Sequence, residues 1–184
     1  VFANDLTNDG RFHEDSAERV KLVRGHVVVD LAGLPVSDAG LAQLAEIPKL
    51  CGVNLELCGA VTDRGIAHLQ HAEQLRVLRL TGTSVTNEGL KHLTDLQHLV
   101  ALDLEVCEQV ADDACGSLGK MKQLKALVLK KTGFEPEKIT PAGLAKLSGL
   151  SAIESLSLYG NRVDDESLSK LAELTNLREL DLSL

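Results

Sequence analysis

The sequence predicts an α/β solenoid, a stack of strand-plus-helix units with parallel strands on one side and short helices on the other. Three observations predict it. Leucine fills 35 of 184 positions, while the aromatics are only Phe2, Phe12, Phe134 and Tyr159. A pattern L-x-x-L-x-L returns seven times along the chain. After a short polar turn, each full copy continues into a run of apolar residues at i, i+3, the spacing of one helix face.

The strands come first in each unit. The registers are His26-Val29-Leu31, Leu50-Val53-Leu55, Leu75-Leu78-Leu80, Leu99-Leu102-Leu104, Leu124-Leu127-Leu129, Ile153-Leu156-Leu158 and Leu177-Leu180-Leu182. Their alternation has period two, which suits a short strand with one face buried. Three residues past the last apolar position stand Leu34, Cys58, Thr83, Cys107, Thr132 and Asn161. Thr83, Thr132 and Asn161 are suited to hydrogen-bond the turn that leaves the strand. The thiols of Cys58 and Cys107 do so weakly and tolerate burial. Leu34 has no donor, which predicts a looser first turn.

The helices follow. Leu41-Leu44, Ile66-Leu69, Leu90-Leu93 and Leu144-Leu147 mark their buried faces. Ser37, Thr62, Thr86 and Thr140 stand where a hydroxyl caps the first exposed amides, a contribution of about 1 kcal/mol each. Thr140-Pro141 is the strongest case, because proline at the first helical position is preorganised. Asp112-Asp113 and Asp164-Asp165 fall at helix starts, where the helix dipole favours carboxylates. One such unit cannot bury its apolar face alone, whereas stacked units share a continuous core.

From residue 26 onward the chain resembles the leucine-rich repeat family, whose L-x-x-L-x-L-x-x-(N/C/T) core matches the positions just quoted. Cys58 and Cys107, with V-T-D-x-G-I from Val61 and V-T-N-E-G-L from Val85, resemble its cysteine-containing subtype, similar to bacterial members. The resemblance implies a right-handed horseshoe segment, with the sheet concave and the helices convex. It says almost nothing about a ligand.

This divides the chain into an N-terminal capping segment, 1–25, and a solenoid of six full units plus a partial one, 26–184. Phe2, Phe12 and Val20-Leu22 are the residues available to cover the first unit, since an open solenoid end exposes apolar surface and unpaired strand groups. Whether the cap is a helix from Ser16 to Val23 or a hairpin turning at Arg24-Gly25 stays open. The chain starts at valine and stops just after a strand, which points to a fragment or a processed chain. The lack of a signal peptide therefore says nothing about export. The fifth unit carries five extra residues, including Phe134. Phe134 is either an exposed anchor on one rim or folded back on the core.

Chemistry is sparse. Cys58 and Cys107 share a register two units apart, roughly 9–10 Å, beyond the roughly 7 Å that a disulfide spans. Cys115 takes the place of a helix leucine, and Cys51 sits on a strand facing outward or nearly so. No Cys/His ligand spacing appears, and four reduced thiols favour a reducing, cytoplasmic compartment. His68 and His92 occupy equivalent helix positions, but Lys146 and Lys170 take the same place later, so this reads as a solvated helix face rather than a metal site. His26 reads as edge packing. No nucleophile elbow, phosphate loop or cofactor motif is present, and no enzyme is expected. The formal charge of -8 disfavours nucleic acid and anionic membrane surfaces. No apolar run exceeds four residues, so no membrane-inserting helix is expected.

What remains is the sheet surface. One outward row reads Asp30, Asn54, Arg79, Asp103, Val128, Ser157 and Asp181; the next reads Ala32, Glu56, Thr81, Glu105, Lys130, Tyr159 and Ser183. Neighbours in a row lie about 5 Å apart, which places Arg79 beside Asp103 and near Glu56 and Glu105. Either this is a solvated charge ladder worth about 0–1 kcal/mol per pair, or it is an acidic strip from Asp30 through Glu105, followed by Lys130 and Tyr159. The strip would suit a basic or mixed-charge protein, with Tyr159 as hot spot. The function expected is a non-enzymatic protein-binding module, monomeric or weakly self-associating. The alternative is a structural module that assembles through its ends or edges, near Leu180-Leu182-Leu184.

Overall fold

The computed structural model describes residues 20–23 (as backbone), 25–132 and 139–183. Strand β1 (Val20–Val23) runs antiparallel to β2 (His26–Asp30), turning at Gly25 with φ +80°. Of the two forms left open for this stretch, Val20–Val23 takes the hairpin; residues 1–19 and 24 lie outside the described residues. From β2 onward each strand joins the next through a helix. The order is α1 (Asp38–Ala45), β3 (Leu50–Asn54), α2 (Asp63–Leu69), β4 (Val77–Arg79), α3 (Asn87–Lys91), β5 (Ala101–Asp103) and α4 (Asp112–Leu118). It continues with β6 (Ala126–Val128), α5 (Pro141–Ala145) and a 3-10 turn (Lys146–Gly149), then β7 (Ser155–Ser157), α6 (Asp165–Leu171) and β8 (Glu179–Asp181). The sheet is open, and β2 to β8 pair in parallel in chain order. This is an α/β solenoid.

The leucine spine packs in register. Val53, Leu78, Leu102, Leu127, Leu156 and Leu180 stand opposite one another across successive strands. The leading residues Leu50, Leu75, Leu99, Leu124 and Ile153 are buried, as are Leu55, Leu80, Leu104, Leu129 and Leu158 at the far end of the pattern. Ile66, Leu90, Cys115 and Leu144 close this core from the helix side. Leu168 and Leu180 in the last units are exposed, with no later unit stacked over them among the described residues.

Hydrogen bonds tie the first five units to one another at the helix starts. Asp38 accepts the Thr62 amide (2.8 Å) and hydroxyl (2.7 Å), and Asp63 accepts those of Thr86 at the same distances. Asp112 does the same for Thr140. Thr62 and Thr86 also cap their own helices, accepting from the Arg64 and Glu88 amides. Ser37 and Thr140 do not, against expectation, although each occupies the N-cap position and Pro141 follows Thr140 as the first helical residue. The Thr140 hydroxyl donates to Asp112, as those of Thr62 and Thr86 do to their acids, but accepts no amide of its own helix.

Two further expectations fail. The first turn is no looser than the others: the Leu34 amide reaches Leu31 O at 3.0 Å, as the Cys58 amide reaches Leu55 O. A side-chain donor arrives from the next unit instead, since Cys58 Sγ donates to Leu31 O at 3.2 Å. Cys51 does not face outward but is fully buried. The pairing of β2 with β3 slips between Val27 and Val28, so Cys51 is the residue left without a partner there, covered by its surroundings although it does not join the leucine core. The fifth-unit insertion, 133–138 with Phe134, and Leu184 lie outside the described residues.

Candidate functional site

The open face of the sheet is the candidate site, and its two rows differ in depth. In the first, Asn54, Arg79, Asp103 and Val128 are buried, whereas Asp30, Ser157 and Asp181 at the two ends are half-buried. Most of the acids here serve the backbone. Asp30, Asn54, Asp103 and Asp181 each accept the amide two residues on, from Ala32, Glu56, Glu105 and Ser183, at 2.9–3.1 Å. An Asx turn of this kind ends the strand and fixes the direction of the next side chain. The hydroxyl and amide of Ser183, with the Ser157 hydroxyl, hold the Asp181 carboxyl below the usual carboxylate range. Arg79 lies with 9% of its side chain exposed between Glu56 (Nη1 to Oε2, 3.2 Å) and Asp103 (Nε to Oδ2, 3.4 Å).

The second row forms the accessible relief. Ala32, Glu56, Thr81, Glu105, Lys130 and Tyr159 are half-buried and Ser183 is exposed. Among the described residues the Glu105 carboxylate makes no ion pair. Lys131 Nζ stands 5.3 Å from the centre of the Tyr159 ring, so one face of the hot-spot candidate is covered by a cation. Beside the first row, on the side away from the second, lies a dimple of about 10 Å³ lined by Val77, Arg79, Ala101, Asp103, Ala126 and Val128. It has room for about one water molecule and none for a small-molecule ligand. What this face offers a partner is charge and contour rather than a pocket.

The ladder residues sit at the rim of this face and below it. Thr83 donates to Leu80 O in its own turn (2.7 Å), and Cys107 Sγ reaches the same oxygen from the next unit (3.1 Å). Thr132 donates to Leu129 O, and the Asn161 amide spans Leu129 O and Leu158 O. All four cysteines are buried and reduced. Burial pushes the thiols of Cys107 and Cys115 up to about 12, which keeps both protonated and unreactive at neutral pH. His68 and His92 are exposed on the helix side, and no group of three or more potential metal ligands occurs among the described residues.

Two rim residues escaped the sequence reading. The residue just before each ladder position takes a left-handed conformation in all six full units: Gly33, Leu57, Gly82, Val106, Lys131 and Gly160, with φ between 48° and 77°. Leu57 and Val106 are the apolar members, and their side chains are 66% and 39% exposed. The signal was present: L-E-L-C from Leu55 and L-E-V-C from Leu104 put an aliphatic residue where units one, three and six have glycine.

Unit by unit, this is a leucine-rich repeat fold, a parallel sheet of L-x-x-L-x-L strands backed by short helices. Among solved structures the chain is similar to an internalin (inlF) from Listeria monocytogenes, at 23% identity and a TM-score of 0.59, over 84% of this chain and 46% of that one. It is also similar to internalin C2 (inlC2) from the same species, at 23% identity and a TM-score of 0.64, over 84% of this chain and 60% of that one. The chain thus spans about half the length of these structures. No family model and no curated protein matches it.

Proposed function

We propose that this chain is a non-enzymatic protein-recognition module whose open sheet face receives a basic or mixed-charge protein partner. The observation that carries this reading is the second row: Glu56, Glu105, Lys130 and Tyr159 project from adjacent or nearly adjacent strands, on a floor too tightly packed to hold a small molecule. Asp30 and Asp181 extend it at the ends. Asn54, Arg79 and Asp103 contribute from below, by orienting the glutamates. The Asx turns and the Arg79 clamp support the idea, because side chains held in place before binding lose little freedom on binding. In this reading residues 1–25 shield the first unit and 26–184 form the solenoid. Cys58 and Cys107, each reaching the turn of the preceding unit, fit the cysteine-containing subtype.

The test is a change of charge. Glu105→Lys reverses a carboxylate that makes no ion pair among the described residues, and Glu56→Gln beside it removes the second charge while leaving the buried Arg79 an amide oxygen and its partner Asp103. The melting temperature should stay within a few degrees, while capture of the native partner from source cells, read by mass spectrometry, should be lost. Capture that survives would show that the acidic strip is not the site.

A further inference from the structure

The rim beside the sheet carries a second feature that folding does not explain. At the left-handed position of the six full units, glycine fits without strain, and three units have it: Gly33, Gly82 and Gly160. Lys131 covers Tyr159. Leu57 and Val106 are different, since neither side chain belongs to the core, both are in water, and a β-branched residue at positive φ is a genuine outlier. Strain kept at a surface, together with apolar side chains left exposed, marks a contact surface more readily than a fold requirement.

The two are rigidly placed. The Leu57 amide donates to Thr81 O (2.8 Å), the Gly82 amide to Glu105 O (2.9 Å) and the Val106 amide to Lys130 O (2.9 Å), so the strand ladder continues through the turn. Two strand spacings, about 10 Å, therefore separate Leu57 from Val106. Gly82 lies between them, and a Cβ there would stand 3.0 Å from Leu57 Cδ2, so the Leu57 side chain reaches across the glycine and the strip is continuous. Glu56 and Glu105 precede the two aliphatic residues and border the strip on the sheet side. With Asp103 they set three carboxylates against the Arg79 guanidinium, and Lys130 and Lys131 of the fifth unit bound this acidic stretch beyond Val106.

Resting on the recognition role proposed above, we infer that Leu57–Gly82–Val106, edged by Glu56 and Glu105, is a docking strip for an extended, cationic segment of a protein partner. Charge fixes the sign of the occupant, and spacing fixes its form. A segment in the polyproline-II form advances about 3.1 Å per residue with three residues per turn, so basic residues three apart share one face about 9 Å apart and meet Glu56 and Glu105 in turn. The aliphatic stems of lysine or arginine lie along Leu57 and Val106 while their heads reach the carboxylates. An aliphatic residue of the segment packs on the Leu57 side chain where it crosses Gly82.

A phage-displayed library of random 12-residue peptides, panned on the full chain, tests this. The selected pool should be enriched in Lys or Arg at a three-residue interval with an aliphatic residue beside them. Leu57→Gly with Val106→Gly should weaken binding of that pool about tenfold or more while leaving the melting temperature unchanged or higher, because glycine relieves both left-handed positions. A merely structural pair would give the opposite result. No enriched pool, a pool without basic residues, or binding that survives the double glycine variant overturns the inference. Binding lost on Tyr159→Ala but kept by the glycine variant overturns it too, and leaves the sheet-face role standing. Sedimentation showing a dimer that only the glycine variant dissolves would make a second copy of the chain the occupant, and would also overturn it.

Discussion

At Gly89, a Cβ would collide with the Asp63 carboxylate that holds Thr86, and Gly65 and Gly143 stand in the same relation to Asp38 and Asp112. The carboxylate, the threonine and the glycine form one device: the acid of one unit occupies space that the glycine of the next leaves vacant. Where one part changes, the others change with it. Between the third and fourth units Asn87 replaces the acid and accepts only the Ala111 amide, Ala111 replaces the threonine, and Ala114 stands where the glycine would be. After Pro141, which offers no acceptor, the sixth unit closes its own helix start with a capping box between Asp164 and Ser167. Gly89→Ala should therefore cost about 1–3 kcal/mol. Gly40→Ala, whose nearest neighbour is the Val36 side chain at 3.2 Å, should stay within about 0.5 kcal/mol, since helix propensity offsets the crowding. Urea unfolding of the two variants checks the contrast. Leu57 and Val106 carry strain of about 1–2 kcal/mol each by general steric reasoning, which is why their retention calls for a reason outside the fold.

Helices of five to eight residues are too short to persist alone, so the bonds between consecutive helix starts matter to each element. Asp38 shows how. Burial opposes its ionisation, but the Thr62 amide and hydroxyl, the Gly65 amide and the nearby Arg64 outweigh that and hold its carboxyl below the usual range. The folded pKa lies below the unfolded one, so the contribution is fully present above about pH 4 and fades as the pH falls further. Asp38→Asn should lower the urea midpoint at about pH 7, and the gap to the parent chain should narrow towards about pH 3. A gap that stayed constant with pH would mean that ionisation is irrelevant to the α1–α2 junction. Thr140 illustrates why such bonds are hard to read from a chain. A cap joins neighbours in sequence and can be read from them, whereas the Asp112 carboxylate that accepts from the Thr140 hydroxyl is 28 residues away.

Over the whole molecule the core is a sum of shared interfaces. Leu102 packs in register with Leu78 on one side and Leu127 on the other, so Leu102→Ala should remove apolar contact from three units and cost about 2–5 kcal/mol, read by thermal or urea unfolding. A neutral result would contradict the register. That register, the open parallel sheet and the buried ladder were all legible from spacing, because a 24-to-25-residue period leaves a leucine only one neighbour to meet. The candidate site was legible in position but not in depth. Arg79, Asp103 and Asn54 lie on the predicted face, yet all three are buried: Arg79 is held between Glu56 and Asp103, and Asn54 and Asp103 turn back to accept backbone amides.

The linear chain thus set which residues face inward, since period two in a strand and i, i+3 in a helix are properties of the backbone and need no partner. It also set the charge balance and the absence of aromatic platforms. Stacking decided the rest: which acids serve an amide, which arginine is clamped, and which aliphatic side chains stay wet in a left-handed turn. Those outcomes depend on distances between units, and a hydrogen bond or a collision across 23 to 28 residues exists only once neighbouring coils are laid side by side.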